Sequence, residues 1–436
     1  MLGRLRAVQS FSKARLSTLV ATEEFPFSAT LAPLAPAAAL VKTSTLSSGV
    51  KTISRDYNAA TVSLKFAIGG GSSSEKPDQK GAAHFLSSAA FAGTSEASGV
   101  KMIRYLESIG ATFSASADKD KIVYSVVVLP DQVEGAVKVV MGAIASPPHA
   151  TYVYEESKAF AQLAYNKFAV DAGAQLHELV QEAAYGETSP LGGSRFAPNL
   201  SKLSVPSVLE YRAAHFVRSN LVVAGSGISH AALDALVEKS ASQIPDGAAP
   251  ALATSTFKGG DVKVRTDANG PSQLALAFPV PAGDAGKPYM VLHALLSAKL
   301  RSQQVCASAF LTSFSGSAGG LVGMQSAGSA TDAAKYIAIA VAELKAIASK
   351  CPDIETLKQK VTLENFLNLE GESTGETLLS AHMQGLDPLS AGDVRSVTTA
   401  SVSAAASAAL KAVPAYAVLG ATAGTPSYAE ILSMLK

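Results

Sequence analysis

The sequence is poor in charge and has almost no excess of either sign. Of its 436 residues, 16% are charged, and 36 lysines and arginines stand against 35 aspartates and glutamates. Binding to nucleic acid or to an anionic membrane surface usually shows as a basic excess, so this balance argues against both partner classes. Hydrophobic residues make up 48% of the chain, which excludes a disordered protein. The length predicts two or more domains.

Long apolar runs and cysteines are also scarce. The alanine-rich stretches at 333–348 and 400–424 are broken by charged residues and a proline, namely Glu343, Lys345, Lys411 and Pro414. Since no run of about eighteen apolar residues remains, we expect no membrane span. Cys306 and Cys351 are far apart in the sequence and form no Cys-x-x-Cys pattern, which indicates reduced thiols rather than a disulfide or a metal site.

Residues 1–22 differ from everything that follows. They contain no acidic residue, and their basic residues are Arg4, Arg6, Lys13 and Arg15. A helix over this stretch would place Leu2, Leu5 and Phe11 on one side and the basic residues around the other. This amphipathic, arginine-rich pattern predicts a mitochondrial presequence, with cleavage after Leu16. A basic tail without a targeting role is the alternative.

The remaining sequence contains one pattern twice. SQLALAFPV at 272–280 can be aligned with TVSLKFAIG at 61–69, and AYAVLGATAG at 415–424 ends the second half as LVVAGSGIS at 221–229 ends the first. A repeat of about 200 residues is too long for a solenoid unit and implies two homologous domains. The alternating apolar residues of TVSLKFAIG and SQLALAFPV predict strands, Gly110 is placed to end a helix, and residues 151–186 predict one long helix. Short strands mixed with long helices, without regular βαβ alternation, predict the α+β class. We expect the two domains to enclose a cavity, with limits at 40–235 and 261–436 and a linker at 247–260.

GAAHFLSSAAFAGT at 81–94 follows a strand and a glycine-containing loop. It resembles the active-site helix of the pitrilysin-type metallopeptidases, the family that includes the mitochondrial processing peptidase. Active members carry His-x-x-Glu-His here, because two histidines four residues apart bind zinc and the glutamate between them acts as the general base. In the family, a glutamate from a later helix is the third ligand. The resemblance covers about residues 45–436 and implies two α/β-roll domains of the processing-peptidase type.

Three of the four motif positions have changed. His84 matches the first histidine, whereas Ser87 stands at the general base, Ser88 at the second histidine and Ala164 where the third ligand is expected. A serine hydroxyl cannot take a proton from water near neutral pH and is a poor zinc ligand. We therefore expect no catalytic residue, no metal and no cofactor in this chain.

Two kinds of mitochondrial family member are non-catalytic: the alpha subunit of the processing peptidase, and core protein 2 of ubiquinol–cytochrome c reductase, respiratory complex III. Members resembling the alpha subunit carry a long glycine-rich loop in the second half, and no extended glycine run interrupts residues 278–327. SAFLTSFSGSAGGLVGMQSA at 308–327 and GTPSYAEILSMLK at 424–436 are similar to segments of core 2 chains.

The resemblance to core 2 chains implies a non-catalytic subunit that supports the assembly and stability of complex III in electron transport from ubiquinol to cytochrome c. It implies a peripheral position on the matrix side of the mitochondrial inner membrane, with membrane association through partner subunits only. The expected partners are core protein 1, cytochrome b, the cytochrome c-type heme subunit and the iron–sulfur subunit, and no nucleic acid. The substrate-binding alpha subunit of the processing peptidase is the alternative.

Overall fold

Two mixed β-sheets organise the part of the chain that the computed structural model describes: residues 41–57, 59–147, 151–251, 255–266, 271–314, 319–369, 373–387 and 392–436. Both sheets belong to one unit, residues 40–436. The predicted presequence at 1–22, with its cleavage after Leu16, lies outside the described residues. The predicted domain limits and the linker also stay predictions.

The first sheet has the strand order β1-β2-β6-β3-β5-β4. Its strands are β1 (Val41–Thr45), β2 (Lys51–Arg55), β3 (Val62–Gly69), β4 (Thr112–Ala117), β5 (Lys121–Val128) and β6 (Leu221–Ser226). The helices of this half are α1 (Ala82–Ser88), α2 (Gly99–Ser108), α3 (Val133–Ala145), α4 (Thr151–Val170), α5 (Ala172–Tyr185), α6 (Val205–His215) and α7 (His230–Ala241). One core joins Leu64, Phe66 and Tyr124 of the sheet to helix residues such as Phe85 and Val137.

The second sheet has the order β7-β11-β8-β10-β9. Its strands are β7 (Gly260–Arg265), β8 (Ser272–Val280), β9 (Ala307–Ser313), β10 (Gly320–Gly328) and β11 (Ala415–Gly420). The helices of this half are α8 (Lys287–Ser302), α9 (Ala330–Ser349), α10 (Glu355–Asn368), α11 (Thr374–Met383), α12 (Thr399–Lys411) and α13 (Tyr428–Leu435). Leu276, Phe278 and Met324 form its core with Leu292 and Ile337.

The same pairing scheme occurs in both sheets. β2 is parallel to β6 as β7 is to β11, and β3 and β8 each lie antiparallel between two neighbours. This arrangement confirms the prediction of an α+β fold with two homologous domains. Among the described residues, no helix is long and apolar enough to cross a membrane, and Cys306 and Cys351 are free thiols.

The two halves exchange one helix each. α5 of the first half packs on the second sheet, where Leu176 and Val180 contact the cluster of Ala277 and Leu419. α11 of the second half packs on the first sheet through the cluster that contains Leu379. Each sheet is therefore covered on both faces, which explains why every residue of β6 and of β11 is buried.

One sequence expectation needed correction. The apolar pattern over residues 151–186 predicts a single long helix, but the structure has two, α4 and α5, on either side of Asp171. The Asp171 carboxylate accepts a hydrogen bond from the Ala174 N–H and acts as the N-cap of α5. An N-cap residue needs non-helical backbone angles, so Asp171 divides the segment. α5 can then turn toward the second sheet.

Candidate functional site

Helix α1, which carries the degenerate motif, begins against a buried carboxylate. Glu75 is 9% exposed, and its two carboxylate oxygens accept hydrogen bonds from the N–H groups of Gly81 and Ala83, at 2.9 and 2.8 Å. These bonds satisfy N–H groups that have no partner inside the helix. Burial raises the pKa of Glu75 to about 7, although the hydrogen bonds from the backbone act in the opposite direction. Glu75 thus fixes the first turn of α1.

His84 is held inside the protein by a backbone carbonyl. The side chain is 4% exposed, and its Nε2 lies 3.0 Å from the Ala161 oxygen on α4. Because a carbonyl can only accept, Nε2 carries the proton and donates it, and its lone pair is not available to a metal. Burial also lowers the pKa of His84, which favours the neutral ring.

The two serines of the motif are turned back onto the helix. The hydroxyl groups of Ser87 and Ser88 both donate to the His84 carbonyl oxygen, at 2.9 and 3.0 Å. Ala164 lies on α4 one turn after Ala161, the residue that contacts His84. The fold therefore brings α1 and α4 together as the resemblance implies, but the side chains at these four positions do not fit a zinc ion.

An aromatic side chain fills the space beside His84. Phe196 packs edge-on against the His84 ring with centroids 4.7 Å apart, and it stacks on Phe168 of α4 at 4.4 Å. The guanidinium carbon of Arg195 lies 4.9 Å from the Phe196 centroid. Among the described residues, no group of three or more His, Cys, Asp or Glu side chains is placed to hold a metal.

A buried ionic network adjoins this aromatic group. The Lys119 ammonium is 3.2 Å from the Glu178 carboxylate on α5, and the two side chains are 5% and 11% exposed. Arg195 bridges Glu178 at 3.2 Å and Asp118 at 3.3 Å. Burial lowers the pKa of Lys119, while Glu178 opposes that shift. The network ties the β4–β5 turn to α5.

A cavity of about 490 Å³ lies next to this network, between the two halves. Its lining includes Lys119, Glu178 and Arg195 from the first half and Thr312 and Gln384 from the second. This is the cavity expected from two facing domains. Its charged groups are paired within the protein, so the chamber is polar without a strong excess of either sign.

The sequence identified α1, α4 and their four motif positions, but it missed what surrounds them. No spacing or motif points to Glu75 as the partner of the start of α1, or to Phe196 as the ring against His84. Both residues lie in loops. The sequence offered only weak hints: Glu75 is a carboxylate shortly before the motif helix α1, and Phe196 is an aromatic residue after α5.

The chain matches known families over most of its length. The model described as insulinase, peptidase family M16, matches residues 51–199, and the model described as the peptidase M16 inactive domain matches residues 202–361. The two matches follow each other along the chain and together span more than half of it.

Among curated proteins, the chain is similar to alpha and beta subunits of the mitochondrial processing peptidase and to a subunit of the cytochrome b-c1 complex. It is 26% identical over 336 residues to the probable mitochondrial-processing peptidase subunit alpha-2 of Arabidopsis thaliana, covering 71% of this chain and 66% of that protein. It is 25% identical to the mitochondrial-processing peptidase subunit alpha of Solanum tuberosum, covering 81% and 78%. It is 24% identical to the mitochondrial cytochrome b-c1 complex subunit 2 of Rattus norvegicus, covering 77% and 78%.

Proposed function

The chain belongs to peptidase family M16, which confirms the resemblance seen in the sequence, and we propose that it is a non-catalytic structural subunit, core protein 2, of ubiquinol–cytochrome c reductase. In this role it supports the assembly and stability of the complex and carries no redox centre. It lies on the matrix side of the mitochondrial inner membrane and contacts the membrane only through partner subunits.

One observation carries the non-catalytic part of the proposal. The Nε2–H group of His84, the one histidine of the motif, donates a hydrogen bond to the Ala161 carbonyl oxygen. Ser87 and Ser88 stand where a general base and a second ligand would be needed, and both bond to the helix backbone. A zinc peptidase requires three ligands and a base around an open coordination position, and these contacts supply neither.

The choice of core protein 2 has separate support. The alignment with the rat cytochrome b-c1 complex subunit 2 spans 77% of this chain and 78% of the rat protein. No extended glycine run interrupts residues 278–327, the region that corresponds to the long glycine-rich loop of alpha subunits in the family resemblance, and the connection from β8 to α8 within it is short, residues 281–286. A scaffold subunit binds its partners through shape and buried area, so the loss of zinc ligands has little effect on that binding. The expected partners are core protein 1, cytochrome b, the cytochrome c-type heme subunit and the iron–sulfur subunit.

The alpha subunit of the mitochondrial processing peptidase is the second candidate. It is favoured by the Arabidopsis and potato relatives, which are 25–26% identical to this chain and carry that name. In this role the chain would bind presequences for a catalytic partner that carries an intact His-x-x-Glu-His motif.

Native electrophoresis of gently solubilised mitochondria, with mass spectrometry of the co-migrating proteins, separates the two roles. Co-migration with cytochrome b and the iron–sulfur subunit is the expected result. A soluble pair with a partner that carries His-x-x-Glu-His would contradict core protein 2 and favour the alpha subunit. Depletion of the chain gives an independent readout: ubiquinol–cytochrome c reductase activity should fall while precursor processing continues. Stoichiometric zinc in the purified chain, together with peptide cleavage by the chain alone, would refute the non-catalytic assignment.

A further inference from the structure

The hairpin of the second sheet is longer than its counterpart in the first sheet. Ile68 and Ala277 each pair with the first residue of the neighbouring strand, β6 or β11, and so occupy equivalent positions. In the first sheet, Ile68 pairs with Ile122, which pairs in turn with Ala117. In the second sheet, Ala277 pairs with Gly323, which pairs in turn with Phe310. The pair Ala117–Ile122 is therefore equivalent to the pair Phe310–Gly323. Four residues, 118–121, separate the first pair, whereas twelve, 311–322, separate the second. β9 and β10 therefore extend beyond the limit of the first sheet.

This extension forms one wall of a second cavity. The cavity has a volume of about 310 Å³ and lies between the β9–β10 hairpin and helices α8, α10 and α11. Its apolar lining includes Met290, Leu311, Phe314, Phe366, Leu369 and Leu386.

The charged and amide groups in the lining of this cavity are engaged with the protein. The pairs are Glu376 with Lys121 at 3.1 Å, Lys287 with Asp284 at 2.8 Å, and the Asn365 amide with the Gly392 carbonyl at 3.0 Å. A charged ligand would have to compete with these pairs and would gain no free counter-ion among them. The lining thus favours an uncharged ligand.

The equivalent place in the first half is bounded by α1, α4 and α5. The Phe196 ring lies there, against His84 of α1 and Phe168 of α4, and the adjacent Arg195 bonds to Glu178 of α5. In the second half, the space between α8, α10 and α11 is the cavity itself.

We propose that this cavity binds an uncharged small molecule with an apolar system of one or two fused rings. The size supports this class, because an apolar cavity of about 150 Å³ binds benzene and small-molecule sites begin at roughly 300 Å³. The proposal concerns a different place from the motif positions and holds for either of the two subunit roles.

Calorimetric titration of the purified chain with 2-naphthol tests the proposal. We expect one site per chain, and at least ten-fold weaker binding of 2-naphthoate, which has the same rings and a charge. Ala381→Phe adds a ring to the lining and should weaken 2-naphthol binding at least ten-fold. Ala159→Phe, at an exposed position on α4, is the matched control and should leave binding unchanged. The reverse variant, Phe196→Ala, should open the equivalent space and raise the stoichiometry from one to two.

Two further measurements keep the test independent of how these variants fold. In crystals soaked with 6-bromo-2-naphthol, the anomalous signal of bromine should lie between α8, α10 and α11. A signal elsewhere, or full affinity in folded Ala381→Phe protein, would overturn the proposal. Titration with N-acetyltryptophanamide distinguishes a free molecule from a protein side chain. Binding of this compound without binding of 2-naphthol would refute the small-molecule proposal and make the cavity a docking pocket for a partner.

Discussion

The two halves of this protein share a backbone plan but differ at the positions that matter for chemistry. Counted from the equivalent residues Ile68 and Ala277, His84 and His293 lie the same number of residues along, on α1 and α8. In both halves the histidine Nε2 faces a carbonyl oxygen, that of Ala161 at 3.0 Å or that of Ala309 at 3.3 Å. A histidine can thus stay in this fold as a packed, hydrogen-bonded residue without any metal.

The third-ligand position shows the same divergence. In the first half, Ala164 stands at this position on α4. In the second half, Glu364 of α10 lines the same cavity as His293, and its charge opposes the burial that lowers the pKa of His293. The second half therefore has a histidine and a carboxylate but a serine, Ser297, at the second-histidine position, and the first half has the histidine alone. The two halves thus share the helix framework although the side chains at these positions differ.

The largest expected effect concerns the ionic network of Lys119, Glu178 and Arg195 in the first half. Counted from the N-caps Asp171 and Ser373, Ser380 occupies the place of Glu178. Glu178→Gln would leave the buried ammonium of Lys119 without its carboxylate and should lower the free energy of unfolding by about 3–5 kcal/mol. Urea denaturation monitored by circular dichroism measures it.

Two controls accompany this experiment. Adding Lys119→Met to Glu178→Gln should restore part of the lost free energy of unfolding, since the unpaired ammonium of Lys119 is then also removed. Ser380→Ala should change stability by no more than about 1 kcal/mol. An equal loss in the single and double variants would mean that packing, and not the buried charge, explains the effect.

The second prediction addresses the helix exchange. Leu176→Ala on α5 and Leu379→Ala on α11 each remove a buried side chain from the sheet of the other half and should each cost about 2–5 kcal/mol. The measurement is again urea denaturation. Leu363→Ala, at a position 58% exposed on α10, is the control and should stay within about 0.5 kcal/mol. If only one of the two core variants is destabilised, the exchange does not hold the halves together symmetrically.

The third prediction compares Glu75, which is buried, with Asp284, which is exposed. The two carboxylates correspond because each lies seven residues after the equivalent residues Ile68 and Ala277. Burial raises the pKa of Glu75 from 4.5 to about 7, so the folded state binds the proton more tightly than the unfolded chain. The contribution to stability is fully present below pH 4.5 and is lost as the pH rises through 7. The loss is about 3 kcal/mol, from about 1.4 kcal/mol per pH unit.

Glu75→Gln removes this titration. The difference in unfolding free energy between the natural protein and the variant should therefore shrink or change sign as the pH rises from 4.5 to 7, the interval between the two pKa values. Urea denaturation at several pH values measures it, with Asp284→Asn as the matched control, expected to change stability by no more than about 0.5 kcal/mol. A pH-independent difference for Glu75→Gln would show that the carboxyl group is ionised in the folded protein throughout.

The last prediction concerns zinc content and introduces the residues of the family's zinc motif. The triple variant Ser87→Glu, Ser88→His and Ala164→Glu should not bind zinc stoichiometrically, because the Phe196 ring and the Ala161 carbonyl still engage His84. Adding Phe196→Ala to the triple variant should raise zinc content, measured by elemental analysis after dialysis. Full zinc loading of the triple variant alone would show that Phe196 is no obstacle.

Much of the fold was predictable because it depends on local patterns. The alternation in TVSLKFAIG and SQLALAFPV marks the equivalent strands β3 and β8, and both occur where they were expected. Gly110, with a φ of +67°, follows the end of α2, as its place in the sequence indicated. The single helix predicted over 151–186 was wrong because hydrophobic periodicity continues through Asp171, while capping by its side chain ends that continuity.

The sequence by itself determined the repeated strands and helices, the α+β class and the loss of three motif residues, because each of these is carried by residue types at short spacings. Only the tertiary structure decided the helix exchange, the burial of Glu75, the Phe196 ring against His84 and the cavity behind the β9–β10 hairpin. Each of these depends on contacts between distant parts of the chain, such as Lys121 with Glu376, 255 positions apart. Such contacts follow from how the layers pack, since any apolar or charged partner of suitable size would satisfy the local pattern equally well.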